Sequence, residues 1–142
     1  MAAGYMTKLS GYIYEGEMVN GAAAPVPNGT IMVQDATDPL KLVLPTADTT
    51  TKIVCKEVTT IYDQVGYRFV VDSLAKRYYF VENGMDDFND GGEYDNQNYV
   101  TKVGALLRAH PLLVGEEFVS NAVTGTPTAG TAYGVKADGT VG

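Results

Sequence analysis

The chain has 142 residues, which is typical of one domain and long enough to bury a core without disulfide or metal support. Hydrophobic residues make up 45% and charged residues 19% of it, which excludes a disordered chain. The net charge of −7 argues against a partner bound through nucleic-acid phosphates. No apolar run approaches the roughly 18 residues of a membrane span, and residues 1–6 lack the pattern of a secretory signal.

Short segments rich in Val, Ile, Thr and Tyr alternate with turn residues along the chain, a pattern typical of β-strands. In the longest segment, alternation places Ile53 and Cys55 on one face of the strand and Val54 and Val58 on the other. Residues 99–109 fit either a strand or a short helix. The predicted strands are residues 8–14, 29–35, 40–44, 50–62 (the longest segment), 67–72, 77–82, 114–123 and 131–137.

These strands predict a mainly β fold, a compact sandwich or barrel with at most one short helix. Residues 20–27 combine small residues with two prolines and predict an extended linker, and residues 2–6 predict an arm. We therefore expect an N-terminal part, residues 1–28, that holds the arm, a first strand and the linker. Residues 29–142 are expected to form a single β-rich domain.

Side chains that carry catalysis are scarce. The one histidine, His110, stands directly before Pro111 and cannot build a two- or three-histidine metal site. No Gly-x-Ser-x-Gly or phosphate-binding glycine motif is present. The one cysteine, Cys55, lies in an apolar segment and is interpreted as a small buried hydrophobe. We expect no enzyme activity and no cofactor; the alternative is a hydrolase that uses His110.

An acidic loop interrupts an otherwise nearly neutral chain. Residues 82–98 hold six of the 17 acidic residues and no basic one. Calcium prefers such carboxylate and amide oxygens, but the EF-hand pattern started at Asp87 fails, because its fifth position is Gly91 and its last is Asn98. We interpret the segment as a solvated loop, with a calcium site as the alternative. The candidate metal ligands are Asp86, Asp87, Asn89, Asp90, Glu93 and Asp95.

Tyrosine is abundant, with ten copies, whereas tryptophan is absent. Because neighbouring residues of a strand face opposite sides, Tyr79 is expected to point away from the face that Tyr78 and Phe80 share. An outward Tyr79 fits an interface residue, a half-exposed position on a sheet or a carbohydrate-binding platform. The lack of tryptophan weakens the carbohydrate interpretation.

The last third of the chain resembles small structural proteins of tailed bacteriophages. Residues 104–123 contain Pro-Leu and Val-Gly-Glu-Glu-Phe, and residues 133–141 contain a glycine-rich strand that ends in Lys-Ala-Asp-Gly. The group that these segments resemble is the capsid decoration, or cement, proteins. The resemblance implies a β-barrel or β-tulip fold, binding to the outside of the capsid, and a homotrimer without catalytic residues.

By this resemblance, the chain is expected to be a structural virion protein, made in the host cytoplasm, that binds the major capsid protein and stabilises the shell. The acidic loop would oppose self-association in solution, and the arms would lie along neighbouring subunits. No nucleic acid or membrane is expected as a partner. The alternatives are another virion component, such as a minor head, head-fibre or tail protein, and a small carbohydrate-binding β module. The candidate contact residues are Tyr5, Met6, Leu9, Tyr12, Tyr14 and Tyr79.

Overall fold

The structure, a computed structural model, describes residues 3–8, 18–61, 63–83 and 100–142, with the backbone alone at residues 6–8. Every regular element in these ranges is a β-strand, which confirms the predicted mainly β fold. The strands are β1 (Gly4–Lys8), β2 (Val19–Asn20), β3 (Val26–Pro27), β4 (Ile31–Gln34), β5 (Lys41–Val43), β6 (Asp48–Ile61), β7 (Gln64–Ser73), β8 (Tyr79–Val81), β9 (Val100–Thr101), β10 (Ala109–Pro111), β11 (Glu117–Ser120) and β12 (Ala132–Val135).

Ten of the strands form two five-stranded sheets. The first sheet has the order β1-β11-β7-β6-β12, and the second has the order β10-β8-β4-β5-β2, while β3 and β9 pair as a small ribbon. The first sheet is strongly curled. Val141 forms an antiparallel bridge to Val135 in β12 and a parallel bridge to Val123, which follows β11 in the chain. The end of the described chain therefore links the two sides of the curled sheet.

Apolar side chains from both sheets meet in an intersheet cluster. Its centre is aromatic: the Phe118 ring lies 4.8 Å from Phe80 and 5.4 Å from Phe69, centroid to centroid. Such tilted aromatic pairs add to the free energy gained from area burial. The cluster consists of Ile31, Ile53, Cys55, Tyr67, Phe69, Val71, Tyr78, Phe80, Leu112, Phe118, Val135 and Val141.

The second sheet is buried on its other face as well. There a back-face cluster joins strand residues to Met18, Ala22 and Val26, and adds Leu107 from the segment before β10. Residues 20–27 are thus not the linker that we expected. Asn20 explains the difference, because its buried amide donates to the carbonyl oxygens of Thr101 and Ala24 and accepts from the amide of Ala22, which fixes the segment against the sheet.

One other expectation from the sequence differs from the structure, and one alternative that the sequence left open is answered. Gly4–Lys8 is not an arm but a strand, paired with β11 at the edge of the first sheet. The short helix considered within residues 99–109 is absent from the described chain. In its place, a turn with Gly104 at φ 81° follows β9, and Leu106 bridges to Val19. The predicted strand at residues 8–14 lies, beyond Lys8, outside the described residues.

A buried hydrogen-bond group connects the start of β6 to the segment that leads into β8. The hydroxyl of Tyr78 donates to Oδ2 of Asp48 at 2.6 Å, and Thr51 donates to the same oxygen at 2.7 Å. The hydrogen bond from Tyr78, followed by those from Thr51 and Thr50, holds the pKa of Asp48 well below its usual range. Burial, together with the hydrogen bond to Asp48, raises the pKa of Tyr78 above its usual range.

We expect Tyr78→Phe to lower the free energy of unfolding by about 2 kcal/mol at neutral pH, because the buried Tyr78 side chain loses its hydrogen bond to a partly buried carboxylate. The lowered pKa of Asp48 stabilises the fold above about pH 4, and this contribution is lost as the pH falls. The raised pKa of Tyr78 stabilises it below about pH 10, and this contribution is lost as the pH rises.

Urea unfolding of both proteins between pH 2 and 11 checks this expectation. The difference between wild type and Tyr78→Phe should be largest between about pH 4 and 10 and should shrink at both ends. Tyr67→Phe is the matched control, since the Tyr67 hydroxyl makes no hydrogen bond among the described residues. A pH-independent difference would contradict the assigned Tyr78–Asp48 bond.

Gly134 lies where β12 crosses the start of β6. A Cβ atom at this position would overlap the backbone carbonyl of Asp48. We expect Gly134→Ala to lower the free energy of unfolding by about 3 kcal/mol, because backbone cannot yield as a flexible side chain does. Gly125→Ala is the control: its φ is 79°, but a Cβ would meet nothing within 4 Å, so about 1 kcal/mol is expected. If thermal unfolding shows that both variants lose the same stability, Gly134 does not lie against the carbonyl of Asp48.

Candidate functional site

The structure brings few of the predicted site residues together. All six candidate metal ligands lie in residues 84–99, and the contact candidates Leu9, Tyr12 and Tyr14 lie in residues 9–17; both segments are outside the described residues. Met6 is described as part of β1 by its backbone only. Tyr5 is half-buried and packs against Ala3, Ile61 and Val119, which we call the β1 cluster. In the described ranges, no three His, Cys, Asp or Glu side chains are grouped to hold a metal ion.

Tyr79 lies on the face opposite Tyr78 and Phe80, as predicted, but its expected role as a surface contact was wrong. The side chain is 3% exposed and lies in the back-face cluster, because the sheet is covered on both faces. Its hydroxyl accepts a hydrogen bond from Nε of Arg77 at 2.9 Å, and the guanidinium of Arg77 lies 5.5 Å from the ring centroid. Tyr79 is therefore not available for contact at the surface in this fold.

His110 is buried in β10, opposite Phe80, with 3% of its surface exposed. Its Nε2 lies 3.0 Å from Oε1 of Glu82, yet the alignment is not that of a hydrogen bond, and neither ring nitrogen has a hydrogen-bond partner in the described chain. Cys55 is fully buried in the intersheet cluster, as the sequence predicted. Burial raises the pKa of the Cys55 thiol.

Buried amides close the base of the acidic segment. The side chain of Asn83 donates to Oγ1 of Thr101 at 2.5 Å, which joins the residues on either side of residues 84–99. Asn28 pairs with the backbone of Asn83 through two hydrogen bonds, each 2.9 Å long. The amide of Arg108 donates to Oδ1 of Asn83 at 2.6 Å. The described residues on either side of residues 84–99 are thus held together by buried hydrogen bonds.

The strongest candidate for a binding surface is the free end of the β6–β7 hairpin. Residues that stand opposite each other on paired strands share a face of the sheet. Cys55 pairs with Phe69, Val58 with Tyr67, and Thr60 with Val65. The core-facing side of the hairpin therefore continues past the buried Tyr67 for one further layer of side chains.

That last pair of residues and Val58, which stands opposite Tyr67, are not covered by other parts of the described chain. Val58 is 56% exposed and Val65 is 59% exposed, and Thr60 between them is exposed as well. We call these three residues the hairpin ledge. On the opposite face, Ile61 is 2% exposed because it packs over Gly66, where a Cβ would lie 2.6 Å from Cγ2 of Ile61. The hairpin end is thus fixed to the molecule on one face and presents apolar groups on the other.

The sequence did not reveal the ledge because of a β-bulge. Alternation placed Val58 on the face opposite Cys55, whereas the structure places both on the same face. The register shifts between Cys55 and Glu57, so that Lys56 is an extra residue and the parity of the strand reverses. Arg68 marks the other face, where it forms ion pairs with Glu57 at 3.0 Å and Glu117 at 2.8 Å.

A second exposed apolar pair lies in the turn between β10 and β11, where Leu113 is 44% and Val114 is 65% exposed. This turn contacts the other end of β7, since the amide of Gly115 donates to the carbonyl of Val71. The two apolar surfaces therefore lie at opposite ends of β7.

Comparison with known proteins adds no relative: no family model, curated protein or solved structure matches the chain. None of the described elements is a helix of the length and hydrophobicity that a bilayer crossing demands.

We expect the fold to persist when residues 84–99 are replaced by a four-residue Gly-Ser linker, because the hydrogen bonds of Asn83 hold both ends of the segment. Thermal unfolding should shift by only a few degrees. In the full chain, by contrast, Asn83→Ala should lose about 2 kcal/mol or more, since buried donors and acceptors lose their partners. If the linker variant does not fold and Asn83→Ala is as stable as the wild type, the hydrogen bonds of Asn83 do not hold the two ends of the segment together.

Proposed function

We propose that the chain is a capsid decoration protein: it binds the outer surface of a viral capsid, contacts the major capsid protein and stabilises the shell. In this proposal the protein is made in the host cytoplasm and assembles on the capsid as a trimer. The observation that carries the proposal is the hairpin ledge, where Val58 and Val65 are exposed on the face of the hairpin that elsewhere forms the core. The resemblance of residues 104–123 and 133–141 to cement proteins supports the same function.

The size of the ledge favours a partner that offers many binding sites. A stable pair of proteins buries about 800 Å² on each partner, which two valines and a threonine cannot supply alone. A surface of repeated subunits compensates, because several contacts made by one assembly add to its avidity. A capsid is such a surface, and the ledge is suited to one contact among several.

We expect Val58→Thr combined with Val65→Thr to weaken binding to capsids that lack the protein. The substitutions keep the side-chain shape and the β propensity but place two hydroxyls in an apolar contact. About 1 kcal/mol is lost at each half-exposed valine, so that the dissociation constant rises roughly 30-fold. Co-sedimentation of purified protein with these capsids measures the change, and the heat resistance of the particles should fall in parallel.

Val114→Thr is the matched control, because Val114 is 65% exposed in a turn at the other end of β7. We expect it to bind as the wild type does. Two results would contradict the proposed contact: unchanged binding of the double variant, or an equal loss in the control. Failure of the wild-type protein to bind such capsids would overturn the proposed function itself.

A further inference from the structure

A narrow slot at the edge of the first sheet holds the start of β1. The backbone amide of Ala3 donates to Oδ1 of Asn121 at 2.5 Å, and its carbonyl accepts from the amide of Asn121 at 2.9 Å and from Oγ of Ser120 at 3.3 Å. Ala3 is fully buried beside Ile61 and Val119. One small residue is thus fixed by three hydrogen bonds to residues more than 100 positions away.

The next residue fits the slot only as glycine. A Cβ at Gly4 would lie 2.8 Å from Cα of Gly29 and 2.8 Å from Cζ of Phe80. Gly29 has a φ of 92°, and a Cβ there would lie 2.8 Å from Oγ of Ser120. Two glycines therefore let β1 approach the second sheet at backbone distance. The slot accepts an extended strand only where a small residue is followed by glycine. It is therefore specific for the sequence of β1.

The topology makes β1 separable from the rest of the fold. Among the described strands, β1 lies at the edge of its sheet and pairs with β11 alone, and nine residues separate Lys8 from Met18. The next described strand, β2, lies at an edge of the second sheet. Nine residues span up to about 30 Å. A connection of this reach, between edges of different sheets, is long enough to deliver β1 to an adjacent molecule.

We propose that the slot also binds β1 of a second copy of this chain, so that copies exchange their first strands. Every contact of Ala3 and Gly4 is the same whichever copy supplies the strand. Protein concentration therefore decides whether the slot holds β1 of its own chain or β1 of a second copy. A strand on a short tether has an effective concentration on the order of 1 mM, so the two states become equally populated when the protein reaches that range. The proposal does not depend on capsid binding and is tested on purified protein.

Two single-cysteine chains, both with Cys55→Ser, test the exchange. One carries Tyr5→Cys and the other Val119→Cys, because these residues are directly paired between β1 and β11. Paired strand residues have Cα atoms about 4.5–5.5 Å apart, within the range of a disulfide. Neither chain can form the bond alone. A mixture oxidised at about 1 mM total protein should give a covalent heterodimer, and its yield should fall on dilution.

A chain with Thr37→Cys, on the exposed turn between β4 and β5, replaces the Val119→Cys chain as the control for random collision. We expect at least tenfold less heterodimer with it. Adding Gly4→Val to the Tyr5→Cys chain should abolish the heterodimer, because the side chain overlaps Gly29 and Phe80. A single chain with Tyr5→Cys and Val119→Cys should oxidise within itself at low concentration. Heterodimer no higher than the collision control, an unaffected Gly4→Val chain, or a double variant that does not oxidise would each overturn the proposal.

Discussion

The contact between Phe80 and Phe118 is the interaction on which the rest of the structure depends. These rings join the two sheets at the centre of the intersheet cluster, and the neighbouring strands are arranged around them. Phe80 also forms one wall of the slot that holds Gly4. β8, which carries Phe80, buries Tyr79 on its other face and pairs with the strand of His110. Packing at this one position therefore determines how β1, the back-face cluster and the buried histidine are placed.

Much of the fold could be predicted from the sequence, because alternation and turn residues are local signals. The strands around Ile31, Leu42 and Phe80 lie within the predicted segments, and those around Cys55 and Phe69 overlap them but begin two or three residues earlier. Cys55 is buried as expected. What the sequence did not show depends on contacts between distant residues. Residues 20–27 look like a linker by composition, but the buried amide of Asn20 and the side chains of Ala22 and Val26 make them a cover for the second sheet.

The candidate surface was harder to predict than the fold. A single extra residue at Lys56 reverses the parity of β6, so that simple alternation assigns Val58 to the wrong face. The prediction that Tyr79 is a surface contact was wrong for a related reason. Alternation shows which side chains share a face of a strand, but it does not show whether both faces are covered. The slot for β1 could not be predicted either, since it requires Gly4, Gly29 and Ser120 to meet across the chain. The resemblance to cement proteins gave a class of partner but no contact residues.

Together these features describe a β scaffold with an apolar ledge at one end of its longest hairpin and a specific slot for β1 at its edge. The central claim is that the ledge contacts the capsid. Hydrogen–deuterium exchange of the free and the capsid-bound protein tests this most directly. We expect the amides of residues 57–66 to gain protection on binding, whereas those of the turn at Leu113 and Val114 should not. Unchanged exchange in the hairpin of a bound protein would contradict it.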